Sequence, residues 1–381
     1  MSTPFLTALA QEMNASATNH YQDNHDRQFG PEPASGDIIV WRECAGEFKR
    51  GLQARQLKLA PLMRLLSYYL VPSHYPALAR EKYRDVSFLY AHLSNAVSRS
   101  LLVKLIAYRI LGFRKVKLPR NTADHWREIE NMQRYVTAAA PIPIAFMNAQ
   151  LAQYDLSPLG YDVRTYASAV GGACAFVQKQ YEYHANDVHC KAVAGDVAID
   201  AGACWGETTL YFAHEVGANG KVIAFEFIPS NLAVLRQNLA VNPTLAERVT
   251  VVERPLWEHS DEALYYVDRG PGSRVFGNPL KKHDGTTRTI TIDAMVEQQE
   301  LTRVDFIKMD IEGAEFPALK GAERTIRAHR PKLAISIYHQ ISDFINIPKW
   351  LHGLDLRYDL YLEHHTIHTH ETVLFAVPRA N

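Results

Sequence analysis

"VAIDAGACWGETTLYFA" (197–213) is the stretch whose reading decides the fold. A short apolar run ends at Asp200, Gly202 and Gly206 open a turn, and Thr208 and Thr209 begin a helix. Strand, glycine turn and helix in that order make the first half of a parallel β–α–β unit. The first N–H groups of such a helix have no intrahelical partner, and they point at whatever occupies the crevice. Ligands of open α/β sheets bind at the carboxyl ends of the strands, near the point where strand order reverses.

Working outward, apolar runs of strand length recur at 196–201, 221–227, 249–253, 304–310, 332–338, 358–364 and 372–377. Helical patterns follow most of them, at 206–216, 229–241, 314–329 and 343–353. This alternation predicts a doubly wound parallel sheet. "HTIHTHE" (365–371), the only link between the last two runs, is too short for a helical crossover, so those two strands are predicted antiparallel. "EALYYVD" and "TRTITI" within 257–303 predict an inserted or edge strand pair.

The amino-terminal half reads differently. Residues 1–36 are rich in Asn, Asp, Gly and Pro and predict a mobile polar tail. From 37 to 189 the chain is expected to be mainly helical, with Leu89, Leu93, Val97 and Leu101 at helical spacing, and with a connector of turns and short strands near its end. The α/β domain is placed at 190–381.

Composition excludes some classes of function. Lys plus Arg and Asp plus Glu number 41 each, so no global charge calls for nucleic acid or an anionic membrane. No basic stripe with interleaved aromatics is found, nor an Asn/Asp-Pro-Pro-aromatic tetrad for base amines. The apolar segments "APLMRLLSYYLV" and "LLVKLIAYRILGF" are broken by charge and fall short of the roughly 18 residues that span a bilayer. Cys44, Cys174, Cys190 and Cys204 form no CxxC pair, which points to a reducing compartment and a cytoplasmic protein.

The turn spacing is D-x-G-x-x-x-G, not the G-x-G-x-x-G that cradles a pyrophosphate. Glu226 closes the second strand 24 residues after Gly202, where a carboxylate accepts the two hydroxyls of a ribose. A nucleoside site without a pyrophosphate cradle suits S-adenosylmethionine. Its expected binding residues are Asp200, Ala201, Gly202, Gly206, Thr208 and Glu226, with Asp200 near the cofactor's positive charges. Trp205 either stacks on the ligand or packs beneath the turn.

"VDFIKMDIEGAEF" (304–316) is a strand that carries five charges. Buried carboxylates need a partner, water or a task. Asp305 at the near end reads as solvated and Glu315 as a helix-end acid. Asp310 ends the strand and Glu312 sits on the turn over the crevice, so these two are the functional candidates. Lys308 shares a face with Phe306 and Asp310 and is expected to pair with an acid.

In order, "DVAIDAGACWGETTLYFA", "GKVIAFEFIPSNLAVLRQNL", "DFIKMDIEGAEFPALKGAERTI" and "RPKLAISIYH" resemble the FkbM family of S-adenosylmethionine-dependent methyltransferases. The resemblance covers about residues 190–378, and Lys308, Asp310, Glu312, Gly313 and Glu315 match the family's K-x-D-x-E-G-x-E pattern. It implies a Rossmann-like class I methyltransferase core, a seven-stranded mixed sheet with an antiparallel last strand. It also implies O-methylation of a saccharide or another small hydroxylated acceptor.

A hydroxyl acceptor benefits from a base. His339, at the end of the fifth strand, is the first choice beside Asp310 and Glu312, because imidazole titrates near neutral pH. A metal held by Asp310, His339 and one of the hairpin histidines (His364, His365, His368, His370) has no HxxxH or HExxH spacing to support it, and no metal is expected. Two other readings are a nicotinamide-dependent oxidoreductase, disfavoured by the missing third glycine, and a non-catalytic nucleoside-binding module. The helical amino-terminal region is expected to cover the acceptor site, to mediate a homo-oligomer, or to dock onto a partner.

Overall fold

The structure, a computed structural model, describes residues 3–25, 83–185, 187–278 and 282–379. Cys44, the segment 60–71 and residues 26–36 of the expected tail lie outside the described residues. The chain divides into two compact units, 1–122 with 366–371, and 123–365 with 372–381. Among the described residues no helix is long and apolar enough to cross a membrane.

In the first unit the expected polar tail is corrected over Pro4–Ser16, which form a helix. Thr3 caps it by accepting from the Leu6 N–H at 3.3 Å, and Pro4 sits in the first turn, where its missing N–H costs nothing. Phe5, Leu9 and Met13 line one buried face, a spacing hidden by the polar composition around it. This helix packs on Ala96–Leu111, which Asn95 caps through the Ser98 N–H at 2.8 Å.

The second unit holds the expected sheet. Its strands are β1 (Val197–Ala201), β2 (Lys221–Phe225), β3 (Val249–Val252), β4 (Phe306–Met309), β5 (Lys332–Ser336), β6 (Tyr358–His364) and β7 (Thr372–Pro378). Their order is β6-β7-β5-β4-β1-β2-β3. β7 inserts between β5 and β6 antiparallel to both, and the pairs from β5 to β3 are parallel. The chain runs outward from β1 to β3 and then returns to place β4 beside β1. Strand order therefore reverses between β1 and β4, and a crevice is left there.

Helix Glu207–Glu215 covers one face of the sheet, with Leu210, Tyr211 and Phe212 packed against Ala198, Val222, Phe306 and Ala334. The expected helix at 314–329 is two, Glu315–Lys320 and Glu323–His329, parted at Gly321 and Ala322. The expected strand pair within 257–303 is a three-stranded antiparallel sheet with Ala263–Val267 in the middle. Its third strand, Arg274–Phe276, is too short to show a period.

Candidate active site

At the carboxyl ends of β1, β2 and β4 opens a cleft of ≈ 580 Å³. Glu226 lies on one side and Asp310 and Glu312 on the other, with Gly202 between them and Pro271, Ser273 and Val275 forming a wall.

Glu226 follows β2 and is buried. The Phe227 and Ile228 N–H groups donate to its Oε1 at 2.7 and 2.8 Å, and Asn231 Nδ2 donates to Oε2 at 3.1 Å. Burial raises its carboxyl to about 7 despite these donors. Asn231 also donates to the Gly270 carbonyl at 3.2 Å, and its buried Oδ1 has no hydrogen-bond partner. Sequence reasoning passed over Asn231. The available signal was an amide in the first turn after Glu226, within the quoted "PSNLAVL".

Asp200 does not face the cleft. It is 0% exposed and lies opposite Lys308 in the parallel β1–β4 register. Lys308 Nζ stands 3.0 Å from Asp200 Oδ1, and the Thr208 and Thr209 hydroxyls donate to Oδ2 at 2.8 and 2.6 Å. Lys308 also donates to the carbonyls of Ala201 and Gly202 at 3.1 and 2.7 Å. Asp200, Ala201 and Thr208 thus fasten the glycine turn from behind. None of the three is among the residues lining the cleft.

The two glycines are required for the same structural reason. Gly202 has φ +87°, and a Cβ there would sit 1.8 Å from the Asp310 carbonyl oxygen. At Gly206, φ +97°, a Cβ would meet Leu235 Cδ1 at 2.5 Å. Gly202 still lines the cleft, whereas Gly206 packs on helix Pro229–Ala240. Trp205 packs beneath the turn with Leu151, Tyr166 and Val234.

At the other end, Asp310 accepts from the Tyr181 hydroxyl at 2.7 Å and from the Tyr338 hydroxyl at 3.2 Å. Glu312 has φ +58° and is followed by Gly313 at φ +97°, a tight turn that swings the chain back into helix Glu315–Lys320. Arg274 Nε stands 3.4 Å from Glu312 Oε2. His339 lies behind the two acids, its Nε2 3.5 Å from both Asp310 Oδ1 and Glu312 Oε1.

Glu315 opens its helix as expected, but it is buried rather than solvated. It is 0% exposed, accepts from the Ile311 N–H at 2.8 Å and places Oε1 2.9 Å from His339 Nδ1. Asp305 is likewise more than solvated, accepting from the Val197 N–H at 2.8 Å while Arg303 grips both its oxygens. Burial alone would lower the His339 imidazole, but Glu315, Glu312 and Asp310 together raise it to about 11. So placed, the ring favours its protonated form and is a poor proton acceptor. Of the hairpin histidines, His364 and His365 are buried in this unit, His364 Nδ1 standing 2.9 Å from Thr372 Oγ1. His368 and His370 belong to the first unit.

Residues 200–363 match the family model for the methyltransferase FkbM domain. Among solved structures, a methyltransferase FkbM from Methylobacillus flagellatus is similar at 20% identity and a TM-score of 0.50. The match covers 79% of this chain and 60% of that one, so the chain spans less than two thirds of that relative. Fibrillarin from Aeropyrum pernix, solved with bound S-adenosyl-L-methionine, is 13% identical at a TM-score of 0.33, covering 62% of this chain and 93% of that one. An O-methyltransferase from Bacillus cereus in complex with SAH is 16% identical at 0.33, covering 56% and 82%. None of the curated proteins matches the sequence.

Proposed function

We propose that the chain, whose residues 200–363 match the family model for the methyltransferase FkbM domain, transfers a methyl group from S-adenosylmethionine to a hydroxyl of a saccharide or another small hydroxylated acceptor. The observation that carries this reading is one cleft with a nucleoside-type carboxylate at one end and proton-accepting carboxylates at the other.

The residues fit the cofactor. Glu226 keeps lone pairs for ribose hydroxyls after accepting from Phe227, Ile228 and Asn231, since a carboxylate has about four acceptor positions. The orphaned Asn231 Oδ1 lacks a donor that a ligand in the cleft would bring. When bound, the cofactor supplies an electrophilic methyl on a sulfonium. Gly202 lines the cleft, and its missing Cβ lets the turn lie close against the Asp310 carbonyl.

Asp310 and Glu312 line the cleft and His339 does not, so the two carboxylates take the acceptor's proton and His339 positions them. Tyr181 and Tyr338 orient Asp310 through its oxygens. Much of the rate then comes from holding the acceptor oxygen in line for displacement.

The test is calorimetry with S-adenosylhomocysteine, followed by turnover on a panel of saccharides and nucleotide sugars. One molecule per chain is expected to bind wild type, with about tenfold or greater weakening in Glu226→Ala, since a tenfold loss is 1.4 kcal/mol and one charge-assisted hydrogen bond is of that order. Failure of the wild type to bind would overturn the cofactor assignment. Undiminished turnover in both Asp310→Asn and Glu312→Gln would overturn the proton-transfer roles.

A further inference from the structure

Four carboxylates and one imidazole converge where β4 and β5 end. His339 Nε2 faces Asp310 and Glu312, its Nδ1 faces Glu315, and the buried Asp343 hydrogen-bonds the Gln340 N–H next to the ring. The contacts are close but poorly aligned. His339 Nδ1 stands 2.9 Å from Glu315 Oε1, yet neither ring nitrogen makes a hydrogen bond, and Glu315 Oε2 has no partner either. The His339 side chain is 4% exposed and Glu315 0%, so water does not relieve them.

Buried polar atoms are satisfied in the great majority of cases. Three orphans in one cluster therefore mark a group that the protein's own atoms do not supply. One ligand atom each from Asp310, Glu315 and His339 can lie within 4.8 Å of the others. Ligands about 2.0–2.2 Å from one ion span distances of that order. The cations nearby are otherwise engaged, Lys308 with Asp200 and Arg274 with Glu312. Removing one acid from such a cluster relieves charge repulsion, but a doubly charged ion relieves more of it and also fills the lone pairs.

We propose that Asp310, Glu315 and His339 form a site for one divalent cation. The turn through Glu312 and Gly313 is what makes the site. It folds the chain so that Asp310 and Glu315, five residues apart, face the same ring. Two carboxylate oxygens with one imidazole nitrogen suit Mn2+ or Zn2+ better than Ca2+, which takes oxygen ligands. The site's catalytic meaning rests on the methyl-transfer reading, because a cation beside Asp310 would sit at the acceptor end of the cleft and polarise a bound hydroxyl. Its existence does not depend on that reading.

The experiment strips the full-length protein with a chelator and titrates it with Mn2+, reading free Mn2+ by electron paramagnetic resonance, with Zn2+ as competitor. One Mn2+ per chain is expected, displaced by Zn2+, with affinity about tenfold or more weaker in Glu315→Gln and in Asp310→Asn. Asp310 is partly exposed, so its variant serves should Glu315→Gln fail to fold, and thermal melting by circular dichroism reports folding for each. Folded wild type that binds neither ion overturns the proposal, as does undiminished binding in a folded Asp310→Asn. S-adenosylhomocysteine binding is read on the same samples. Its failure alongside Mn2+ binding would sink the cofactor reading and leave the cation site standing, and the reverse result would sink only the cation site.

Discussion

Asp200 and Lys308 face each other across neighbouring parallel strands, fully buried, with 3.0 Å between carboxylate and ammonium. The pair joins the strand before the glycine turn to the strand before the acidic turn, and so fixes both walls of the cleft at their root.

Removing one partner leaves an unpaired buried charge, which typically costs about 3–5 kcal/mol. Asp200→Asn and Lys308→Met are each expected to fall in that range by urea denaturation. The double variant is expected to lose less than the sum of the two. Additive losses in the double-mutant cycle would show that the pair is not coupled.

Gly202→Ala is expected to be far more damaging than Gly160→Ala. Both glycines have positive φ, +87° and +90°, so both substitutions carry a strain of about 1–2 kcal/mol. Only at Gly202 would the new Cβ strike the Asp310 carbonyl, whereas at Gly160 nothing lies within 4 Å. Melting temperatures of the two variants decide this, and equal losses would mean that the β1–β4 junction yields easily.

Affinity for S-adenosylhomocysteine is expected to fall as pH drops from 8 to 6. The Glu226 carboxyl, raised by burial to about 7, takes up a proton over that interval, and a protonated carboxyl accepts fewer ribose hydroxyls. In Glu226→Gln the affinity should be weaker and this pH dependence absent. Calorimetry at three pH values checks both outcomes.

Stability carries a second pH signature. Burial raises the Glu207 carboxyl from 4.5 to about 7. Its folded pKa exceeds its unfolded one, so the folded protein binds more protons between these values and stability declines as pH rises through the interval. The favourable contribution is complete below about 4.5 and gone above about 7. At about 1.4 kcal/mol for each pKa unit, the total is on the order of 3 kcal/mol. Glu207→Gln should flatten the profile in part, Glu226 contributing a slope of the same sign. An unchanged slope between pH 5 and 7.5 would show that Glu207 is not buried as described.

Legibility followed periodicity. Most of the seven strands were readable as apolar runs bounded by turns, and β4 with its four consecutive buried positions illustrates why, whereas β3 at the sheet edge is only half-buried. The helix Pro4–Ser16 was missed because its buried apolar face, Phe5, Leu6, Leu9 and Met13, is short and runs into a polar sequence beyond it. Tyr181 was unreachable. It comes from an irregular segment with no period, and only folding carries its hydroxyl to Asp310, 129 residues later.

The sequence by itself determined the parallel sheet, the antiparallel last strand, the glycine turn, and the places of Glu226, Asp310 and Glu312, because these follow from local pattern and from strand-end position. Only the tertiary structure decided which carboxylates are free to act. Asp200 is neutralised by Lys308 from another strand, Glu315 is turned inward to His339, and Glu226 is left facing the cleft. The physical reason is that a carboxylate's task depends on desolvation and on charges within a few ångströms, and those neighbours come from residues far apart in the chain.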